Sequence, residues 1–278
     1  GIMRIPNELE EKIEKEIKNI SLTELRDTAR ILSDRYMNAK RTGQSLLNKN
    51  LEVLAYSIIR MPATFGAINK ALEETLKKYN PTIKTVLDLG CGTGTHLNIL
   101  ENVGYIVDGL DLSENMVELA KTKVKNARIF KANILDYKID EKYDAIISMH
   151  SVFNHLKSYD EFEKALQNSL DHLEKDGIMV IDLDNRRSND DVYDVVDGNK
   201  RYMECFYSPK YSMQIRTINF TIGLKTFTFE HEFFIYKKKK LEEILDKYDV
   251  SYALLTNFFR QRANDESKRI HVVIRKNG

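Results

Sequence analysis

Between residues 84 and 183, short apolar segments alternate with helical patterns, and this alternation restricts the chain to few folds. The apolar segments are typical of buried strands, and the intervening patterns have helical spacing. Strands that alternate with helices predict a parallel sheet covered by helices, which is an α/β fold. The predicted strands are 85–87, 105–110, 128–131, 143–148 and 178–183, and the predicted helices are 94–102, 114–124 and 159–173.

The segments on either side of this region have different patterns. Residues 7–79 carry helical periodicity alone, which predicts an N-terminal helical cover over residues 1–80. A polar stretch at 184–200 reads as a loop, and alternating patterns after it predict an inserted antiparallel β lid within 184–236. A helix at 239–246 and strands at 250–256 and 270–275 return to the sheet. The α/β core therefore comprises 81–183 and 237–278.

Composition excludes several classes of protein. The chain has 43 Lys and Arg against 42 Asp and Glu, a formal net charge of +1, so a nucleic-acid partner is not expected. No apolar run reaches the roughly 18–20 residues of a membrane span. The acidic start lacks the apolar region of a signal peptide. The two cysteines, Cys91 and Cys205, cannot form a zinc or iron–sulfur site by themselves, and a cytoplasmic location is expected.

A glycine-rich turn carries the clearest chemical signal. Gly90, Gly92 and Gly94 follow the first strand and precede a helix, as in turns that bring backbone close to a ligand. Asp111 ends the second strand, where its carboxylate can accept hydrogen bonds from two ribose hydroxyls. Both features lie at the carboxyl ends of parallel strands, where open sheets bind ligands. The sequence therefore predicts a site for a nucleoside-containing ligand.

The spacing of the glycines separates two such ligands. A dinucleotide site has the pattern G-x-G-x-x-G, with helix N–H groups facing a pyrophosphate. This chain has G-x-G-x-G, and Asp88 precedes the turn. A carboxylate there suits the cationic end of S-adenosylmethionine (SAM), which carries an ammonium, a sulfonium and no phosphate. SAM is the predicted ligand, with a dinucleotide or a turn without a ligand as alternatives.

Three segments carry a resemblance to a known family. LDLGCGTGTHL at 87–97, DLSENM at 111–116 and YDAIISMHSVFNHL at 143–156 resemble class I SAM-dependent methyltransferases, most of all small-molecule N-methyltransferases of the amino-sugar and glycine types. The resemblance implies a Rossmann-like sheet, mostly parallel with the last strand antiparallel. It also implies methyl transfer to a small-molecule amine by in-line displacement, with S-adenosylhomocysteine as product and no metal. Residues 184–236 resemble the inserted strands that cap the substrate pocket in those enzymes.

A second resemblance leaves another function open. Residues 55–65 are similar to the segment that precedes the glycine turn in a family of ribosome-associated methyltransferases. That similarity supports an N-terminal cover bearing Arg60 over the SAM site more than an RNA substrate. An RNA-directed methyltransferase and a non-catalytic SAM-binding protein remain the alternatives, and a homodimer is possible.

The family resemblance implies a set of cofactor-binding residues. Arg60 is expected to pair with the SAM carboxylate, with a surface ion pair as the alternative, and Tyr56 is expected to cover the site. Leu112 and Met116 flank the adenine, and Asn133 accepts from the adenine amino group or forms a turn. Met149 packs on SAM or belongs to the core. The full set is Tyr56, Arg60, Asp88, Gly90, Cys91, Gly92, Thr93, Gly94, Asp111, Leu112, Met116, Asn133, Ile134 and Met149.

Three histidines are candidates for the acceptor side of the site. His150 and His155 follow the fourth strand, and an imidazole there can accept a proton from an ammonium substrate. His231 lies on an aromatic strand face, as a pocket residue or as a core histidine. His155 is equally compatible with a structural role at a helix start. His96, at the start of the first helix, is expected to pack or to cap.

Overall fold

The computed structural model describes residues 83–196, 199–222, 224–256 and 261–278. The N-terminal helical cover that the sequence predicts for residues 1–80 lies outside these ranges. Across the part of the chain that the structure describes, no helix has the length and apolar character needed to cross a membrane.

The main sheet has eight strands. Five of them run parallel in the order β3-β2-β1-β4-β5, and β12 lies antiparallel beside β5. Beyond it, β10 pairs antiparallel with β12, and the short β11 pairs with β10. The bounds are β1 Thr85–Leu89, β2 Ile106–Asp111, β3 Arg128–Lys131, β4 Tyr143–Ser148, β5 Leu173–Asp184, β10 Val250–Thr256, β11 Gln261–Arg262 and β12 Arg269–Lys276. The α/β prediction is confirmed, and more than one antiparallel strand extends the parallel set.

Helices cover both faces of this sheet. They are α1 Thr95–Val103, α2 Glu114–Lys123, α3 Tyr159–Asp171 and α4 Lys238–Leu245. Apolar side chains of α1 and α2 pack with Val86 and Ile147 on one face, whereas those of α3 and α4 pack with Leu87 and Ile146 on the other. Alternate residues of β1 and β4 therefore serve opposite cores, which explains why their sequences are continuously apolar.

The sequence located the helix starts because capping residues mark them. The Ser113 hydroxyl accepts the Met116 N–H at the start of α2, and the Ser158 hydroxyl accepts the Glu161 N–H at the start of α3. The Glu161 carboxylate completes the second cap by accepting the Lys157 N–H at 2.6 Å. These bonds satisfy backbone donors that have no partner within a helix.

The four strands that follow β5 in the chain form a second sheet. Its strands are β6 Val192–Val196, β7 Asn199–Ser208, β8 Met213–Ile222 and β9 Lys225–Phe234, paired antiparallel in sequence order. The antiparallel strands were predicted, but β6 lies in the polar segment that the sequence suggested was a loop. Among the described residues, β6 pairs with β7 at the edge of this sheet.

A buried carboxylate links the second sheet to β5. Asp184, at the end of β5, is 2% exposed and accepts two hydrogen bonds of 2.9 Å from Arg216 on β8. Arg186 donates to the same carboxylate at 3.3 and 2.7 Å, and an Arg269 nitrogen lies 3.7 Å from it. Burial alone would raise the pKa of Asp184, but Arg216 and Arg186 hold it well below its usual range.

Asn154 makes a second link between the sheets. It lies in a single 3₁₀ turn, Val152–His155, between β4 and α3, and its side chain is fully buried. Its amide nitrogen donates to the Asp184 and Phe234 carbonyls, both at 2.9 Å, and its oxygen accepts the Asp184 N–H at 2.8 Å. One side chain thus satisfies backbone groups at the ends of both β5 and β9.

We expect Asn154→Ala to destabilise the protein by roughly 2–4 kcal/mol, because it leaves buried backbone groups without partners. Denaturant unfolding measures this loss, and hydrogen–deuterium exchange should show faster exchange in β8 and β9.

Asn168→Ala is the matched control for this variant. Asn168 also donates to two backbone carbonyls, of Ile134 and Tyr137. Both carbonyls lie between β3 and β4 of the main sheet and not in the second sheet. Its loss should lower stability without changing exchange in the second sheet. Equal exchange in β8 and β9 in both variants would contradict the role given to Asn154.

Candidate active site

Each glycine of the turn after β1 has a left-handed backbone. The φ angles of Gly90, Gly92 and Gly94 are 70°, 55° and 81°. A Cβ on Gly90 would lie 2.6 Å from Val152, and one on Gly94 would lie 2.9 Å from the Ala120 backbone. A Cβ on Gly92 would meet none of the described residues within 4 Å. The turn therefore requires glycine for its conformation, and at Gly92 its backbone borders open space.

The Asp111 carboxylate fastens this turn to the end of β2. One oxygen accepts the Gly92 N–H and the other accepts the Ser113 N–H, each at 2.9 Å. Burial raises the pKa of Asp111, and these backbone hydrogen bonds act in the opposite direction. A carboxylate oxygen can accept more than one hydrogen bond, so both oxygens retain capacity for ligand hydroxyls.

Asp88 is a buried carboxylate with an unsatisfied oxygen. It is 2% exposed at the end of β1, and its Oδ2 has no hydrogen-bond partner among the described residues. Burial, and secondarily the charge of Asp111, raises the pKa of Asp88 well above its usual range. An ionised carboxylate in this position calls for a cation. The ammonium of SAM meets that need, and the open space at Gly92 and the acceptor capacity of Asp111 fit the rest of SAM.

The remaining predicted cofactor residues surround the same strand ends. Met116 and Ile134 are buried, whereas Leu112 is exposed. The Asn133 side-chain oxygen accepts the Leu135 N–H at 3.0 Å, which is the turn-forming role. Met149 is buried in the same apolar cluster as Cys91, and burial raises the pKa of that thiol. The Thr93 and Thr95 hydroxyl oxygens lie 3.1 Å apart, and Tyr56 and Arg60 lie outside the described residues.

His150 lies directly against His96. Their Nε2 atoms are 2.6 Å apart, and the two rings join the first turn of α1 to the segment after β4. Burial and the neighbouring His150 hold the pKa of His96 well below its usual range, against an opposing effect of Asp182. His96 therefore packs, as the sequence predicts, but its partner is another site histidine.

The other two candidate histidines flank one aromatic ring. The centroids of His155 and Phe233 are 5.4 Å apart, and His231 stacks on Phe233 at 5.7 Å. The Arg216 guanidinium carbon lies 4.8 Å from the centroid of the same ring. His155 thus contacts the second sheet, and His231 is buried next to Phe233 on the same strand.

A buried ion network lies beneath His150. Asp182 accepts the His150 backbone N–H at 3.0 Å, Arg269 lies 2.7 Å from the same oxygen, and His271 lies 3.0 Å from the other. Burial alone would raise the pKa of Asp182, but Arg269 and His271 hold it well below its usual range. Arg269 also donates to Ser151 at 3.4 Å.

Sequence reasoning missed the groups that position this side of the site. Asn154 lies within the segment 143–156, from which Met149, His150 and His155 were selected and Asn154 was not. Asp182 and Asp184 end a buried strand, and that position is the signal that could have found them. Nothing local marks Arg216 as the partner of Asp184, because the pairing depends on how the two sheets meet. Among the described residues, no three His, Cys, Asp or Glu side chains form a group that could hold a metal.

Comparison with known proteins agrees with this geometry. A family described as "Methyltransferase domain" matches residues 86–177. A dTDP-3-amino-3,4,6-trideoxy-alpha-D-glucopyranose N,N-dimethyltransferase of Streptomyces venezuelae is 30% identical over 118 residues, which are 42% of this chain and 50% of that protein. The chain spans about half the length of the curated relatives that it matches most strongly.

Solved structures share the fold at low sequence identity. A SAM-dependent methyltransferase from Clostridium acetobutylicum has a TM-score of 0.69 and 22% identity, over 80% of this chain and 96% of that one. The SAM-bound amino pentose methyltransferase CalS10 from Micromonospora echinaspora has a TM-score of 0.67 and 17% identity, over 76% of this chain and 92% of that one. Residues 86–177 therefore match a methyltransferase domain, and the chain is similar in fold to SAM-dependent methyltransferases and in sequence to amino-sugar N,N-dimethyltransferases.

Proposed function

We propose that this protein binds SAM at the carboxyl ends of β1, β2 and β4 and transfers its methyl group to the amine nitrogen of a small molecule. The observation that carries the proposal is the buried Asp88 oxygen, which has no partner among the described residues, at the start of the turn in which a Cβ on Gly92 would meet none of them. The dinucleotide alternative loses support, because a pyrophosphate would repel an ionised Asp88. Relatives named as amino-sugar N,N-dimethyltransferases favour nitrogen as the acceptor atom.

In this proposal, the two carboxylates hold opposite parts of the cofactor. Asp88 accepts the ammonium, and Asp111 accepts the ribose hydroxyls while it retains the Gly92 and Ser113 N–H groups. Leu112 and Met116, on the segment after β2, contact the adenine. When bound, SAM supplies an electrophilic methyl group on a sulfonium, which is an excellent leaving group. The protein chiefly aligns the acceptor with that methyl group and excludes water.

The acceptor side of this proposal lies between β4 and the second sheet. His155 follows β4 and contacts Phe233 of β9, while Asn154 holds the same turn against β5 and β9. We assign the second sheet the role of a cap, the proposed lid of residues 184–236. His155 then holds the acceptor by a hydrogen bond.

We expect Asp111→Asn to weaken SAM binding ten- to hundredfold, because charge-assisted hydrogen bonds contribute about 1.5–3 kcal/mol. Calorimetry measures the affinity. Asp108→Asn is the matched control, since Asp108 is a buried carboxylate of the same strand that instead binds Arg128 and Tyr143. It should lower stability and leave SAM affinity unchanged. Unchanged SAM affinity in Asp111→Asn would refute the assignment.

Asp88→Asn should act in opposite directions on stability and on binding. The raised pKa means that the folded protein without SAM holds the Asp88 proton more tightly than the unfolded chain does. Its stability therefore falls as pH rises above the ordinary aspartate pKa, and asparagine removes that loss. At neutral pH, we expect the melting temperature without SAM to rise by roughly 2–4 °C per kcal/mol regained.

The same variant should bind SAM about ten- to hundredfold more weakly, because the ammonium loses its counter-ion. Differential scanning calorimetry and isothermal titration on one preparation provide both measurements. A variant that melts lower and binds SAM normally would show that Asp88 has a structural role instead.

His155→Ala tests the acceptor side. With a substrate found in a panel of amino sugars and glycine-type amines, we expect kcat/KM to fall about ten- to hundredfold through the lost hydrogen bond. SAM affinity should stay the same, since the imidazole faces the second sheet. Full turnover in this variant would return His155 to the structural role that the sequence left open.

A further inference from the structure

The Asp88 carboxyl group is buried at the end of β1, and its Oδ2 has no partner among the described residues. We propose that Asp88 carries a proton when SAM is absent and loses that proton to solvent when the ammonium of SAM binds. Cofactor binding is then coupled to pH. The inference rests on the proposed function and adds to it a means by which pH regulates the same site.

Hydrogen bonding distinguishes Asp88 from its neighbour Asp111. The Asp111 oxygens accept the Gly92 and Ser113 N–H groups, each at 2.9 Å, so backbone donors support a negative charge there. The Asp88 Oδ2 atom has no such donor among the described residues. A buried oxygen without a donor costs far more free energy when it is charged than when it is neutral. Of the two carboxyl groups, Asp88 is therefore the one that keeps a proton.

The two carboxyl groups also lie close enough to affect each other. The parallel register of β1 and β2 pairs Leu89 with Leu110, and Asp88 and Asp111 lie on either side of this pair. The charge of Asp111 adds to the effect of burial, and together they raise the pKa of Asp88 well above its usual range. Because like charges oppose the ionisation of both groups, a charged Asp111 favours a protonated Asp88.

The other titratable groups around the end of β1 do not offset this effect. Cys91 lies in the turn, and burial, Asp111 and Asp88 raise the pKa of its thiol, so it stays neutral. On α1 and after β4, His96 and His150 contact each other. Burial and Asp111 are the principal causes that act on the Asp88 pKa, and both favour the proton.

The arrival of an ammonium reverses this balance at Asp88. It brings a positive charge and N–H donors to the carboxyl group, and both favour the ionised form. The O–H bond of Asp88 breaks, its electron pair stays on the carboxylate oxygen, and the proton passes to solvent, while the ammonium keeps its N–H bonds. Asp88 takes up a proton again when S-adenosylhomocysteine leaves, because that product carries the same ammonium.

Loss of a proton on binding makes SAM affinity rise with pH. The pKa of Asp88 is lower in the complex than in the free protein, so affinity rises by up to about tenfold per pH unit between the two values. Above about pH 8, the amino group of SAM loses its own proton, and affinity falls again. SAM and S-adenosylhomocysteine share the ammonium, so the ratio of their affinities stays constant below that pH.

Isothermal titration calorimetry of the full chain, in buffers of different ionisation enthalpy, counts the protons released per ligand bound. From about pH 5.5 to 7, we expect equal proton release with SAM and with S-adenosylhomocysteine, and rising affinity for both. 5′-Methylthioadenosine keeps the adenosine but lacks the ammonium, so it should bind without proton release. Release with that ligand would assign the proton to Asp111, and release with SAM alone would assign the effect to the sulfonium. Either result, or no release with SAM, would overturn the proposal.

Asp88→Asn removes the proton-binding group with little change in shape. This variant should bind SAM without proton release and with an affinity that is independent of pH over the same range. Asp108→Asn is the matched control, because Asp108 is a buried carboxylate of β2 that binds Arg128 and Tyr143. It should release protons as the wild-type protein does. Release that persists in Asp88→Asn would move the proton to another group and reject the proposal.

Infrared difference spectroscopy observes the same proton directly. The C=O stretching band of a protonated carboxyl group should disappear when SAM is added to the wild-type protein, and Asp88→Asn should show no such loss. A wild-type difference spectrum without this loss would contradict the proposal. If the wild-type protein fails to bind SAM, the proposed function fails, whereas SAM binding without loss of a carboxyl proton rejects the coupling to pH alone.

Discussion

The Asp184 carboxylate is the interaction on which the acceptor side of this protein depends. It is buried at the end of β5, and Arg216 from the second sheet binds both of its oxygens. Removal of one partner from such a pair typically costs 3–5 kcal/mol, because the remaining charge stays buried. This ion pair and the Asn154 hydrogen bonds therefore contribute to the placement of the second sheet, and with it to the contact between His155 and Phe233.

Asp88 and Asp184 show two different uses of a buried carboxylate at the end of a strand. Both are 2% exposed, so desolvation opposes the charge of each equally. Arginines restore the charge of Asp184, and its pKa falls, whereas Asp88 has an unsatisfied oxygen and its pKa rises. The first carboxylate is committed to structure. Under the proposed function, Asp88 is left for a ligand. The folding stability that its burial costs is then recovered when a cation binds.

Much of the main sheet could be predicted from sequence because its signals are local. Apolar runs, capping serines and the glycine turn lie within a few residues of the elements that they specify. The hydrogen bond from the Gly92 N–H to Asp111 was not predicted, because the sequence suggested only a ribose-binding role for that carboxylate. The strand β6 could not be predicted, because its sequence has no strand pattern of its own. The strand is defined by its pairing with β7. Contacts across long separations, such as Arg216 with Asp184 and His96 with His150, leave no periodicity that a single sequence reveals.

Under the proposed function, the histidines near the carboxyl end of β4 fall into two groups with different requirements. The sulfonium leaves without assistance, so a base is needed only to free the acceptor nitrogen, and the remaining requirement is alignment. His150 contacts buried His96 on α1, so its placement depends on elements of the main sheet and its helices. His155 packs on Phe233, and its placement depends on the second sheet. Under the proposed function, a change of acceptor would therefore involve the residues of β8 and β9 around Phe233 more than the contact between His96 and His150.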